Sequence, residues 1–424
     1  MKVLRPYFST IFTNFCWVGT LFCSLVPVAA ATTSDDWTQW RGPNREGRSE
    51  EAGLMKEWPS GGPQQLWTNT DTGLGYGGLA VVQGTLFTVG AIEDEEYLLA
   101  IDAKSGKEKW RTSIGPLFVN NWGDGPRSTP TVVDGRIYAL SAQGHLVCCE
   151  QESGKEVWKI QLTDFGGSVP DWGFAESPLV DEDRVVVTPG GPDGAIMAVD
   201  KNTGKLLWQS DSCQGTVHYS SVIVAHPNGQ KQYVQLLMER LVGLDPKTGQ
   251  QLWSVDWPGR VAVIPTPIAE GNRIYVSSGY GVGCMMVEIG TDNTVTEVYR
   301  NKVMKNHHGG VILVGKHLYG YSDGPGWTCQ DFATGESIWE ETDALGKGCV
   351  TYVGGRLIMQ SEDKGVVVLV EPSDAGWRER GRFTLSPQSE KRKRDGRIWT
   401  HPVVVDGKLY LKDQEILYCY DVKE

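Results

Sequence analysis

A nine-residue phrase, Asp/Glu-x-x-Ser/Thr-Gly-x-x-x-Trp, occurs five times in the chain. The copies are Asp102…Ser105-Gly106…Trp110, Glu150…Ser153-Gly154…Trp158, Asp200…Thr203-Gly204…Trp208, Asp245…Thr248-Gly249…Trp253 and Asp331…Thr334-Gly335…Trp339. Two degenerate copies keep the rhythm, one at 288–299 and one in Glu371-Pro372-Ser373-Asp374-Ala375-Gly376 before Trp377. A period of about 45–50 residues with short strands is the mark of propeller blades. Each part of the phrase has a chemical reason. The acidic side chain accepts hydrogen bonds from turn amides, and the glycine reaches the left-handed region without steric cost. The indole is large and flat, best buried between neighbouring sheets.

The residues around each copy complete a blade. Thr129-Pro130-Thr131-Val132-Val133 is followed by Asp134-Gly135, a strong hairpin signal, and by the returning strand Arg136-Ile137-Tyr138-Ala139-Leu140. His145 to Glu150 reads as a third strand, and Glu156-Val157-Trp158 opens a fourth. Four strands make one blade. Inner strands start near Gly78, Ser128, Ser177, Tyr219, Ala262, His308, Cys349 and His401. The last unit stops at Tyr418-Cys419-Tyr420-Asp421 after three strands, and Gln64-Gln65-Leu66-Trp67 supplies the missing one. The prediction is an all-β, eight-bladed propeller of four antiparallel strands per blade, closed by an N-terminal strand in the last blade. Closure removes the exposed edges at the seam. The docking tryptophans are Trp67, Trp110, Trp158, Trp208, Trp253 and Trp339.

Residues 1–31 read as a cleaved signal peptide: Lys2 and Arg5, an apolar stretch over 11–28, then Ala29-Ala30-Ala31. Export to the periplasm or the extracellular space is expected. No later segment is apolar enough to span a membrane. Residues 32–63 carry Trp37, Trp40 and Trp58, too aromatic for a free linker, and are expected to pack on the propeller, which occupies 64–424. A net charge of −12 disfavours nucleic acid and anionic lipid. The run Lys391-Arg392-Lys393-Arg394 reads as a solvated loop between the last two blades. The cysteines beyond the signal are an odd, scattered set with no CxxC, so neither a disulfide framework nor a cysteine metal site is signalled. A monomer is expected.

The five copies of the phrase resemble the tryptophan-docking repeat of the pyrroloquinoline quinone (PQQ)-like propeller family, over residues 64–424. Trp37-Thr38-Gln39-Trp40-Arg41-Gly42-Pro43-Asn44 and Trp399-Thr400-His401-Pro402 resemble secreted bacterial members. The resemblance implies one of two things. The family contains PQQ-dependent alcohol dehydrogenases, with Ca²⁺ held by carboxylate and amide oxygens, an Asp base, a Trp stacked on the quinone and a vicinal disulfide cap. It also contains the cofactor-free propeller subunit of the outer-membrane barrel assembly machinery. Fold alone does not choose between them. Cys148-Cys149 is the only adjacent cysteine pair, but it falls in a third strand, where successive side chains face opposite ways. No Glu…Asn…Asp set matches the calcium ligands of the dehydrogenases. The expectation is a binding or scaffold protein of the cell envelope. PQQ with Ca²⁺ in a dehydrogenase is the alternative.

Connections between blades gather on one face of a propeller, and two are long, 111–127 and 159–175. They carry Trp122, Asp124 and Arg127, and Trp172 and Glu176 just beyond. Other blades send His218, Tyr219, His307, His308, Lys347 and His401 to the same rim. Adjacent residues of an extended chain diverge, so His307-His308 is expected to serve a binding pocket rather than one metal ion. Together these residues are expected to line a funnel for a small molecule, glycan or envelope-protein partner, with anionic or sugar-like ligands favoured by Arg127, Lys347 and the histidines.

Overall fold

Near-continuous apolar runs in the second and third strands of the blades bury both faces of each sheet, and the sheets therefore stack side by side. The computed structural model describes residues 1–4 and 36–424. The expected signal peptide falls, apart from its first four residues, outside the described residues. Blade one spans 80–116, blade two 131–161, blade three 179–209 and blade four 223–256. Blade five spans 268–301, blade six 311–341 and blade seven 348–384. Blade eight joins Val403–Val405, Lys408–Asp413 and Ile416–Asp421 to Gln64–Asn69, which pairs antiparallel with Ile416–Asp421. Each blade shares an apolar cluster with the next. The cluster of Leu79, Val81, Leu86, Val403, Tyr410 and Leu417 joins blade eight back to blade one and closes the ring.

The repeated phrase acts across blade boundaries. The Asp102 carboxylate accepts from the Ser105 amide at 2.7 Å and from its hydroxyl at 2.6 Å. Asp200, Asp245 and Asp331 make the same amide bond to the threonine three residues on. This turn sets Gly106, Gly154, Gly204, Gly249 and Gly335 at φ between +69° and +74°. The ring lying on each glycine comes from the preceding blade: Trp67 on Gly106, Trp110 on Gly154, Trp158 on Gly204, Trp208 on Gly249 and Tyr299 on Gly335. Trp158 Nε1 then donates to Lys201 O at 2.9 Å, and Trp339 Nε1 to Ser373 O at 2.7 Å, in the next blade's turn. Burying about 200 Å² of indole contributes about 5 kcal/mol. Blade five lacks the glycine turn, and Trp253 bonds inside its own blade, donating to Gln232 Oε1 at 2.6 Å. It still packs into the cluster between blades four and five.

Blade seven departs from the expected pattern. Trp377 does not dock; it packs against Trp327. The strand position that carries the indole elsewhere is Gly381, opposite Leu369. The space above it is taken by Trp58 of the N-terminal segment, whose Cβ lies 2.6 Å from where a Gly381 Cβ would stand. Trp58 thereby wedges between blades seven and eight. Phe383 of blade seven in turn lies on Gly62, just before the closing strand.

Residues 36–51 thread the central channel and bond to the inner strands around the ring. Trp37 pairs with Val81 of blade one, and Thr38 accepts from Val132 of blade two. Arg45 donates to Ser177 O and Val222 O, at 3.1 and 2.8 Å, and to Pro178 O, from blades three and four. Trp40 Nε1 donates to Thr266 Oγ1 at 2.9 Å beside blade five, and Arg41 donates to Val311 O at 2.6 Å in blade six. Arg48–Ser49 adds a parallel strand to blade seven, and Glu51 accepts from Gly407 of blade eight. Burial lowers both guanidinium pKa values, to about 10 for Arg41 and about 9 for Arg45.

The outer strand of blade one continues to Pro116, and that of blade two to Gln161, followed by a 3₁₀ turn at Leu162–Phe165. The first long connection, 117–130, is accordingly shorter than expected, and the second, 162–178, is displaced along the chain but as long as expected. All the cysteines among the described residues are buried thiols. Cys148, Cys329 and Cys419 sit directly across from docking Trp158, Trp339 and Trp67, where Ala100, Ala198 and Gly243 serve in other blades. A small residue is required under the indole. Cys148 and Cys149 face different inter-blade clusters, so no vicinal disulfide forms.

Two substitutions test these contacts through stability. In Gly154→Ala the new Cβ would meet Trp110 Cε3 at 2.4 Å, whereas in Gly135→Ala, at nearly the same φ of +73°, nothing lies within 4 Å. Urea unfolding should show Gly154→Ala less stable than Gly135→Ala by about 1–3 kcal/mol. Equal losses would mean the indole does not press on the glycine. Arg45→Met removes the shared donor of three buried carbonyls and should cost at least about 3 kcal/mol in the same assay.

Candidate functional site

The inter-blade connections meet around the ring axis at the mouth of the channel and enclose a cavity of about 200 Å³. Its floor is Trp40, which also borders a smaller void deeper in the channel. The wall begins with Tyr76 ahead of blade one, then Trp122 and Arg127 before blade two. Trp172, Ala175 and Ser177 come next, before blade three, and Tyr219 and Ser221 before blade four. Tyr280 comes from the hairpin between the second and third strands of blade five, and His307 and His308 from the connection to blade six. Trp399, Thr400 and His401 close the circle before blade eight.

The aromatic rings brace one another. Tyr76 lies 4.6 Å from Trp399 at 50°, Trp172 lies 5.9 Å from Tyr219 at 64°, and Tyr280 lies 4.5 Å from His307 at 75°. The Tyr76 hydroxyl donates to Trp122 O. Trp40 meets His401 edge-on at 4.9 Å. Glu96 fastens the Trp122 loop, accepting from Phe118 N at 3.2 Å and Ala142 N at 2.8 Å. The Arg127 guanidinium is spent on structure: it donates to Gly123 O at 2.7 Å and to Gly125 O, and lies over the Phe118 ring at 5.0 Å.

His307 and His308 do not diverge as expected. Their rings stack at 3.8 Å and 25°. Lys347 Nζ lies 3.0 Å from His307 Nδ1 and donates to Asp323 Oδ1 at 2.7 Å. His308 Nδ1 lies 3.3 Å from Glu362 Oε2, which also accepts from Trp399 Nε1 at 2.9 Å. Although burial opposes it, these bonds and nearby Lys347 hold the Glu362 carboxyl below its ordinary range. Burial, with His308 and Lys347 alongside, pushes His307 down to about 2. Burial, with Arg41 alongside, pushes His401 down to about 3. Both imidazoles are neutral at physiological pH.

Four residues read from the sequence as wall residues stand behind or beside it. The Glu176 carboxylate accepts from Thr188 N at 2.6 Å and is buried; desolvation raises its pKa to about 7. Lys347 is behind His307. The His218 Nδ1 accepts from Val263 N at 3.2 Å. Asp124 pairs with Lys393 at 2.9 Å. The basic run is accordingly less solvated than expected, since Arg392 also pairs with buried Asp413 at 3.1 Å. Trp40, Tyr76, Tyr280 and Trp399 escape the sequence reading as wall residues, because none of them belongs to the repeated phrase or to the connections counted as long. The one signal is the resemblance of the segments around Trp40 and Trp399 to those of secreted family members.

Among the described residues, the wall contains no Asp, Glu, Asn or Gln. No group of three His, Cys, Asp or Glu among the described residues could hold a metal ion. A Ca²⁺ ion takes six to eight oxygen ligands, several from carboxylates. The residues around this cavity do not fit a calcium–PQQ pair.

The neutral imidazoles have a measurable consequence. An unfolded histidine takes a proton near pH 6.5, and these two do so only near pH 2–3 when folded, so each costs stability as pH falls below 6.5. The buried carboxyls of Glu96 and Glu176 run the other way. Burial raises both to about 7, so their share of stability is lost as pH rises from 4.5 to 7. In NMR spectra the His307 and His401 rings should keep neutral shifts down to pH 5. A midpoint near pH 6 for either would contradict the geometry.

The profile of the family described as "Outer membrane protein assembly factor BamB" matches residues 95–341. The BamB of Burkholderia pseudomallei (strain K96243) is 23% identical over 60% of this chain and 62% of its own. Quinohemoprotein alcohol dehydrogenase ADH IIB of Pseudomonas putida is 28% identical over 43% of this chain, which spans only 25% of that enzyme. Among solved structures, BamB from Moraxella catarrhalis superposes with a TM-score of 0.58 at 15% identity, over 85% of this chain and 99% of that one. Quinohemoprotein alcohol dehydrogenase from Comamonas testosteroni gives 0.61 at 12%, over 92% of this chain and 80% of that one. These likenesses establish the fold. With the repeat, the ring and the profile match in agreement, the chain belongs to the BamB family of PQQ-like repeat propellers.

Proposed function

We propose that this protein is a non-catalytic binding protein of the cell envelope that holds a small, ring-sized ligand in the aromatic funnel. The observation that carries the reading is the wall itself. Seven aromatic side chains, those of Trp40, Tyr76, Trp122, Trp172, Tyr219, Tyr280 and Trp399, surround about 200 Å³ with no carboxylate among them. A concave, largely apolar pocket with a few polar groups is the usual form of a small-molecule site. A cavity of this size suits one ring rather than a macromolecular chain. The envelope location rests on the sequence reading of residues 1–31 and on the family. No helix among the described residues is long and apolar enough to cross a membrane.

The dehydrogenase alternative draws on the quinoprotein relatives. It requires carboxylate and amide oxygens for calcium and an Asp base at the quinone, and the described wall residues include neither. Glu176, the nearest carboxylate in sequence to the wall residues of blade three, is committed to Thr188.

Purified protein incubated with PQQ and Ca²⁺ should emerge from gel filtration without quinone absorbance and show no dye-linked alcohol oxidation. A thermal-shift screen of small neutral metabolites should find a stabiliser whose effect disappears in Trp172→Ala. Stoichiometric retention of the quinone would overturn the reading.

A further inference from the structure

The stacked histidines and the tilt of the rings narrow the class of ligand, an inference that rests on the funnel being a binding site as proposed. A lysine ammonium can only donate. The 3.0 Å contact between Lys347 Nζ and His307 Nδ1 therefore makes Nδ1 an acceptor and puts the His307 ring proton on Nε2. His308 is set the opposite way. Its Nδ1 faces the Glu362 carboxylate, which can only accept, so Nδ1 carries a proton. Both rings line the funnel, stacked on each other, and the neutral His307 is left with an Nε2–H donor suited to a hydroxyl oxygen.

The rest of the wall agrees. Arg127, a wall residue, is held in place by the Gly123 and Gly125 carbonyls, and Lys347 stands behind His307, paired with Asp323. Neither cation is free to swing onto a ligand. The lack of wall carboxylates, together with these two cations, disfavours a cationic ligand. The rings meet at 50°, 64° and 75°, so they form a curved cup and not a parallel slot for a flat heteroaromatic ring. A puckered ring presents C–H groups on its faces to such a cup and hydroxyls at its edge. Ser177, Ser221 and Thr400 add small hydroxyl side chains between the aromatics. Trp122 and Tyr280 stand more than a third exposed, where further units of a chain would rest.

We infer that the funnel binds an uncharged pyranose, as the terminal ring of a neutral glycan, with the His307–His308 pair reading its hydroxyls.

Saturation-transfer NMR on the full chain tests this with methyl glucoside, methyl galactoside and N-acetylglucosamine, against glucuronic acid, choline and indole. At least one neutral sugar should show transfer, and removing single hydroxyls should weaken it by about tenfold, or 1.4 kcal/mol. His307→Phe, which keeps a ring but removes the ring nitrogens, should weaken it as much while the protein stays folded by circular dichroism. Equal or stronger binding of glucuronic acid or choline overturns the inference. Binding of indole without any sugar also overturns it but leaves the small-ligand reading standing. Silence from the whole panel, with no effect of Trp172→Ala in the metabolite screen, removes both.

Discussion

An indole lying flat on a glycine held at positive φ joins one blade to the next, and most of the architecture depends on that contact. The acidic residue at the start of the turn bends the chain through its amide bonds. The bend brings a residue without a side chain to the surface that the neighbouring blade's ring covers. The strand beneath the ring must also carry something small, which accounts for Ala100, Cys148, Ala198, Gly243, Cys329 and Cys419 at equivalent places. Cysteines that suggest redox chemistry when read singly are fillers of one repeated space.

The periodic part of this arrangement is legible from residue spacing. The phrase from Asp102 to Trp110 and its copies locate the blades, and the truncated last unit points to Gln64–Asn69 as the closing strand. The aperiodic parts are not legible. Trp58 substitutes in space for an indole that blade seven lacks at Gly381, yet it lies more than three hundred residues away in the chain. Arg41 and Arg45 look like ordinary surface residues in sequence, and their burial results from a threaded segment that has no repeat to announce it.

The site shows the same division. Blade connections bring Trp122, Arg127, Trp172, Tyr219, His307, His308 and His401 to one cavity, because ring geometry forces them together. Spacing cannot tell which side chains turn inward. Glu176 finds Thr188, and Lys347 finds Asp323, within bonding distance, and each satisfies its charge behind the wall. What is left facing the cavity is largely aromatic, with Arg127 held by backbone carbonyls. The floor is supplied by the threaded segment, so the same residues that tie the inner strands together give the funnel its depth.

Both the ring's inner ties and the funnel's floor require residues 36–51 to sit inside the ring and not over it. Hydrogen exchange read by mass spectrometry on the native protein addresses this directly. The Trp37 and Val81 amides donate to each other's carbonyls, Val132 N donates to Thr38 O, Tyr352 N to Gly47 O, and Gly47 N to Arg41 O. Peptides covering 37–49 should therefore exchange as slowly as the inner strands they touch. Exchange of that segment at the rate of an unstructured peptide, with the strands still protected, would contradict the threaded arrangement.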